Sequence, residues 1–579
     1  MTEKKQSNGY VLVMVLYLVG IFMGAIDTGI VTPARTVIQS QLGVSAQTGM
    51  WMITIYTLSY AASVPIMGKL ADRFGRKYIY LICIFLFGFG SFMCGLSGSI
   101  GGFPLLIVAR VIQAIGGGGI VPIATAEFGT TFPPEKRGMA LGLVGGVYGV
   151  ANVFGASAGS AILDIFGVEN WKYIFYINVP ITIFIVICGC FKLQNNMDEN
   201  NNKKIDILGI FTVTIMVLSL LYGLKNLDFF NFTTSITSTK VYPFLIIFAL
   251  LIPLFIFAEK RAEDPVLSLK YFTNKNILIT LVLSTLSGVV MMGTIFVPQF
   301  SENCLKLSTG SGGYLVIILG VFSGFGAPVS GKLIDKHGPK IILASGFLGT
   351  ALGALFMMFV TIKFPSLLTV LIGLALIGLG MGFTMGTPVN YMMLDNTESE
   401  ESNSALAALS LVRSLGTAVA PAIMVGFIAA AGGQVETNLM EMLPAIEMPV
   451  MDSMGDMGDM SAMGGMESAD MELPAELLTM LQSSDVTTIV EDTKVLASYM
   501  FDQMFSSGPM AAMKEMAPDM VDAALQSYLA DIDNVGPQIE DTFQATLNEG
   551  FFDVYRLIVI TAALAILVLF FYKGKEKAQ

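Results

Sequence analysis

Charge is scarce in this chain. Lys, Arg, Asp and Glu make up 13% of its 579 residues, against roughly 25% in a soluble domain. Hydrophobic residues reach 54% and the mean hydropathy is +0.70, which excludes an ordinary water-soluble fold. The net charge is −12, and no nucleic-acid partner is expected. No Gly-x-x-x-x-Gly-Lys-Ser/Thr run occurs, so the chain has no P-loop with which to hydrolyse ATP. The one histidine, His337, falls in a charged turn and reads as a water-facing residue, not a proton relay. The five cysteines give no disulfide framework: Cys83, Cys94, Cys188 and Cys190 lie in apolar runs, and Cys304 stands alone in a polar segment. Cys188 and Cys190 form a Cys-x-Cys with too few neighbouring ligands for a metal, so a buried, inert pair is expected.

Long apolar runs are what the chain has in abundance. A helix needs about 20 mostly apolar residues to cross about 30 Å of hydrocarbon, and about fourteen such runs can be marked. They group as six, two and six. The expected fold is an all-α polytopic membrane protein with two six-helix bundles and two extra central helices. Its parts are an N-terminal bundle (1–192), the two additional spans with a linker (193–275), and five helices of the second bundle (276–430). A polar loop (431–550) and a last span with a basic tail (551–579) complete it. The first apolar run is too long for a cleavable signal and reads as the first span.

One sequence occurs twice. GKLADRFGRK runs from Gly68 to Lys77 and GKLIDKHGPK from Gly331 to Lys340, each a short charged turn between two apolar segments. Two such turns imply a duplicated helical bundle, the architecture of many secondary transporters. Gly68 and Gly75 permit close packing and a tight reversal. Asp72 is suited to accept hydrogen bonds at a helix N-terminus. Lys69, Arg73, Arg76 and Lys77 suit an anionic inner leaflet. The cations of these turns, of Lys136–Arg137, of Lys203–Lys204, of Lys260–Lys275 and of both termini fall on one side. The positive-inside rule then puts both termini in the cytoplasm and 431–550 outside a plasma membrane.

An ionisable group inside the bilayer costs about 3 kcal/mol on insertion scales, so functional use is the default hypothesis. Asp27, in the first apolar run, leads. Burial would raise its pKa and a nearby cation would lower it, a sensitivity suited to proton coupling and to recognising a cation. Snorkelling or capping at a span end is the alternative. Arg110 lies among Leu105, Leu106, Ile107 and Val111 with Gln113 one turn away. It keeps its proton and must find carboxylate or carbonyl partners. Glu127 is a further proton-coupling candidate or an interfacial residue, and Arg413 reads as a packing or gating residue.

On the duplicated turn, Arg110–Gln113–Gly116, FPPEKRGMALG, WKYIFYINVP and DPVLSLKYF, the chain resembles the fourteen-span drug:proton antiporters of the major facilitator superfamily. The resemblance covers almost everything except about 431–550. It implies that Gly68, Asp72, Arg73, Gly75, Arg76 and the second copy's Gly331, Asp335 and Gly338 form a latch that differs between inward- and outward-facing states. It also implies that Asp27 serves coupling and that Arg110 biases a neighbouring carboxylate. The fifth span resembles the family's antiporter motif imperfectly: GASAGS, with Gly155 and Gly159, stands where GPxxGG is usual, so one kink device is missing.

The 431–550 segment carries 22 acidic residues against Lys494 and Lys514 alone. Such composition favours solvation at its start, whereas AELLTMLQ and VDAALQSYLADI beyond Leu473 have helical periodicity. Methionine recurs every third residue at Met448, Met451, Met454, Met457, Met460, Met463 and Met466. Thioethers suit Cu(I), and a low-complexity linker or an apolar stripe is the alternative. Two functions compete. One is proton-driven export of amphipathic, cationic or neutral small molecules by a protein held in the lipid bilayer, with Asp27, Trp51, Tyr56, Gln113, Tyr148 and Phe154 around the substrate and no cofactor beyond the proton gradient. The other is a Cu(I)-binding or sensing membrane protein; export of a lipid-like amphiphile is a variant of the first. No obligate protein partner is evident.

Overall fold

The computed structural model describes residues 2–31, 34–44, 46–194, 206–307, 311–385, 387–440, 442–444, 474, 477, 486–505, 514 and 517–573. Its described elements are all helical. The long helices of the first part are α1 (Thr2–Ile30), α2 (Trp51–Phe74), α3 (Arg76–Leu96), α4 (Gly102–Thr131), α5 (Pro134–Phe166) and α6 (Asn178–Lys192). Two follow, α7 (Ile207–Lys225) and α8 (Tyr242–Arg261). The last group is α9 (Lys275–Met292), α10 (Val316–His337), α11 (Pro339–Phe356), α12 (Leu367–Thr384), α13 (Ser402–Met440) and α14 (Pro518–Phe570). Eleven described helices are long and apolar enough to cross a membrane by length and composition, fewer than the fourteen expected. In α2 the apolar run is diluted by hydroxyls that bond within the bundle: Thr54 and Thr57 donate to the carbonyls of Met50 and Ile53 at 3.1 and 3.0 Å, and Ser63 to that of Ala114 at 3.3 Å.

Missing side chains decide how closely the helices pack. A Cβ on Gly116 of α4 would lie 2.4 Å from the Cys83 carbonyl oxygen and 2.5 Å from the Phe87 nitrogen of α3. Backbone cannot yield as a side chain can, so any larger residue forces the two helices apart. Gly116→Val is expected to destabilise the protein by about 3 kcal/mol or more, read as a lowered thermal midpoint of the purified protein. The two halves of the chain meet through the same device. On α5 and α10, a Cβ on Gly138 would lie 2.5 Å from the Gly331 oxygen, and one on Gly331 2.3 Å from the Gly138 oxygen. On α2 and α13, a Cβ on Gly68 would lie 2.5 Å from Ala407 Cβ.

The expected limits of the polar loop fall inside helices. α13 continues to Met440 and α14 already begins at Pro518, because apolar residues recur at helical spacing beyond the hydrocarbon-length runs. With 53 residues, α14 is about 80 Å long, more than twice the thickness of the hydrocarbon. Its first half, the end of α13 and the helix Ile489–Met504 form a small cap with a separate core that includes Leu439, Leu496, Phe501, Ile532 and Phe543. Lys306, at the end of the helix Val297–Leu305 that extends α9, pairs with Asp541 at 2.9 Å and Glu540 at 3.1 Å, which hold its ammonium above the usual lysine range. The methionine run 448–466 lies outside the described residues.

The Cys-x-Cys pair departs from its expected burial. Cys188 is half-buried and Cys190 exposed, because residues two apart on a helix face different ways.

Candidate functional site

Helix geometry brings the polar residues of five helices to one point. Arg110 and Gln113 are one turn apart on α4 and therefore share a face. Arg110 Nη1 donates to Asp27 Oδ2 of α1 at 2.9 Å and to Gln113 Oε1 at 2.7 Å. Asp27 Oδ1 accepts from Gln113 Nε2 at 2.8 Å and from Asn178 Nδ2, at the start of α6, at 3.1 Å. Ser91 Oγ of α3 accepts from Gln113 at 2.7 Å and Asn178 at 3.2 Å. On α2, the Tyr56 ring lies 4.1 Å from the guanidinium carbon and the Met52 carbonyl accepts from Arg110 Nε at 3.3 Å. Asp27, Gln113, Ser91 and Asn178 are 0% exposed and Arg110 2%.

Such a buried pair persists because each ion has the other and further hydrogen bonds. Arginine stays charged. Proton gain at Asp27 would therefore change the cluster from neutral to +1, and every partner of the carboxylate would have to readjust. Gly155 of α5 stands close by: a Cβ there would lie 2.8 Å from the Ile26 carbonyl oxygen and 3.0 Å from Gly29 Cα, so α5 can press on α1 beside Asp27. Sequence reasoning missed Ser91 and Asn178. An amide within the apolar WKYIFYINVP was a signal for Asn178; Ser91, a hydroxyl that any helix can bond to its own backbone, carried none.

A second constellation occupies the face that carries the α2–α3 and α10–α11 turns. Asp72 and Tyr56 are 16 residues apart on α2, about 24 Å along the axis. Asp72 Oδ1 accepts from Asn403 N at 3.1 Å and from its Nδ2, and Oδ2 from Ser404 N at 2.7 Å and from its Oγ. These donors begin α13. Asp335 of α10 accepts from Gly138 N at 2.9 Å and Met139 N at 3.2 Å, in the first turns of α5. Each half of the chain thus sets a carboxylate near the start of a helix of the other, where the helix dipole favours a negative charge; for Asp72 the donors are among the first, unpaired N–H groups of α13. Gly75 and Gly338 turn the chain with φ of 90° and 80°, a region that disfavours a Cβ.

Of the other residues, Tyr148 adjoins the cluster, packing against Ala25 and Ile26 beside Asp27, and the rest are dispersed. Glu127 accepts from Arg76 at 3.1 Å and from Thr131 at 2.9 Å, at the same end of α4 as the turn. Arg73 lies 5.6 Å from the Phe74 ring centre. Arg413 is half-buried on α13 with Nε buried and without a hydrogen-bond partner. Tyr148 is half-buried and Gly159 buried on α5. Phe154 is 45% exposed, and Trp51, 42% exposed, stacks on Tyr222 of α7 at 6.1 Å. Among the described residues no group of three or more His, Cys, Asp or Glu is placed to hold a metal ion.

Residues 17–421 match the sequence profile of the Major Facilitator Superfamily. The chain is 37% identical over 473 residues to the uncharacterized MFS-type transporter YfiU of Bacillus subtilis, covering 78% of this chain and 88% of that protein. It is 32% identical over 421 residues to the multidrug transporter protein MdtP of the same organism, covering 72% and 74%. Among solved structures, the proton:xylose symporter XylE superposes with a TM-score of 0.52 at 15% identity over 74% of this chain and 91% of that one, a likeness of fold alone. The chain therefore belongs to the Major Facilitator Superfamily, as a multi-pass membrane transporter of small molecules and not an enzyme.

Proposed function

We propose that this transporter exports amphipathic compounds, lipophilic cations or neutral molecules, in exchange for protons, with fourteen spans, both termini in the cytoplasm and the cap outside. The observation that carries the reading is the buried Asp27–Arg110 pair. It is a carboxylate able to change charge beside a cation that cannot, in a protein without a P-loop. Protonation of Asp27 from outside would free its partners, and loss of the proton would restore the ion pair. Alternating access would open and close the face held by Asp72 and Asp335. The match to MdtP, named as a multidrug transporter, supports the substrate class.

The test is exchange in proteoliposomes. Addition of a fluorescent lipophilic cation to one side should drive proton movement toward that side, followed by an entrapped pH dye. Cation flux without counter-movement of protons would overturn antiport. Export of a lipid-like amphiphile remains the second substrate class for the same assay. The methionine run would serve at most to capture Cu(I), so deletion of 448–466 is expected to leave drug efflux unchanged and to remove any copper binding. Loss of efflux in that variant would make the loop part of the transport path.

A further inference from the structure

The two extra helices bring an unusual set of charges against the first turn. Asp206 precedes α7 and caps it, its Oδ1 accepting from Gly209 N at 2.7 Å. Glu259, near the end of α8, is only 4% exposed; its Oε1 accepts from Leu267 N at 3.3 Å. Asp206 Oδ2 and Glu259 Oε2 are both buried without any hydrogen-bond partner. Asp206 Oδ2 and Glu259 Oε1 lie 2.0 and 3.0 Å from the point where a Cβ on Gly209 would stand, so these two oxygens are no more than about 5 Å apart. Only glycine at 209 leaves room for the carboxylates to converge.

The charged groups that line the cleft with Asp206 are Lys69 and Arg73 from α2 and Asp264 from the segment after α8; the neighbouring Glu263 is exposed. Lys69 is paired with Asp264. Arg73 lines the same narrow cleft, and its Nη1 is buried with no hydrogen-bond partner. Asp72, one residue from Arg73, is taken by α13. Among the described residues, two cations, Lys69 and Arg73, thus lie beside Asp206, Glu259 and Asp264. Two adjacent carboxylates, Glu259 buried and Asp206 half-buried, resist being ionised together, and each keeps one buried oxygen without a donor.

We infer that Asp206 and Glu259 hold one proton between them, forming a protonation site on the extra helices that sets how firmly α7 and α8 engage the α2–α3 turn. Loss of the proton would leave two charges beside Arg73, drawing its free Nη1 away from the turn. Proton occupancy on α7 and α8 would then bias the latch in which Asp72 takes part. The site needs no transported substrate and is independent of the proposed antiport.

Infrared pH-difference spectroscopy of the full-length protein in lipid nanodiscs tests this. A protonated-carboxyl band should titrate in the wild type and be missing from both Glu259→Gln and Asp206→Asn, each checked for its thermal midpoint. In Lys69→Gln the same band should persist about one pH unit higher, because removal of a cation disfavours the ionised form. The inference is overturned if the band survives in either carboxylate variant, or if its midpoint does not rise in Lys69→Gln. Should one variant fail to fold, the remaining ones still decide.

Discussion

Arg110→Met should abolish transport and destabilise the fold by about 3–5 kcal/mol, the range for removing one partner of a buried ion pair. The cause is what remains. Asp27 is 0% exposed, and without the guanidinium its charge is left in the bundle with two amides as its only hydrogen-bond partners. Adding Asp27→Asn to Arg110→Met removes the stranded charge and should recover much of the thermal midpoint while leaving transport absent. Asp27→Asn alone leaves Arg110 the Met52 carbonyl, the Gln113 oxygen and the Tyr56 ring, so it should fold better than Arg110→Met. Equal midpoints for Arg110→Met and the double variant would show that the pair does not depend on charge compensation.

The second large effect concerns the face held by Asp72 and Asp335. A hydrogen bond to a charged group contributes about 1.5–3 kcal/mol, so loss of either carboxylate should lower the closed-to-open ratio of this face by about 10- to 150-fold. Ala407, against Gly68, is a suitable reporter. In a background without native cysteines, Ala407→Cys should be labelled faster by that factor once Asp72→Ala or Asp335→Ala is introduced. The two substitutions should act in the same direction, since each removes a contact between the halves. Unchanged labelling in both would mean that glycine packing alone closes the face.

Much of this was legible in the sequence, because a membrane writes its constraints in composition. The duplicated turn located two carboxylates, and the scarcity of intramembrane charge drew Asp27 and Arg110 out of the apolar runs. What could not be read was which helices meet. Asp72 and Asn403 are 331 residues apart, and nothing local in either segment specifies the other. Ser91 was invisible because a helical serine can bond its own backbone and so gives no sign of a distant partner. Trp51 illustrates the converse: an aromatic at a span end reads equally well as a cavity wall or as a packing residue, and its neighbour Tyr222 comes from a helix whose placement the sequence does not encode locally. The limits at 431 and 550 followed the end of hydrocarbon-length runs, whereas α13 and α14 continue because the cap supplies a second apolar core.

The central claim, that Asp27 couples transport to protons, is tested most directly by efflux of a fluorescent lipophilic cation from cells. Wild type and Asp27→Asn would be compared, each with the proton gradient intact and collapsed. The expected result is gradient-dependent efflux in the wild type and none in Asp27→Asn, with equal amounts of folded protein in the membrane. Gradient-dependent efflux that persists in Asp27→Asn would contradict the claim and leave the Asp27–Arg110 pair a structural one.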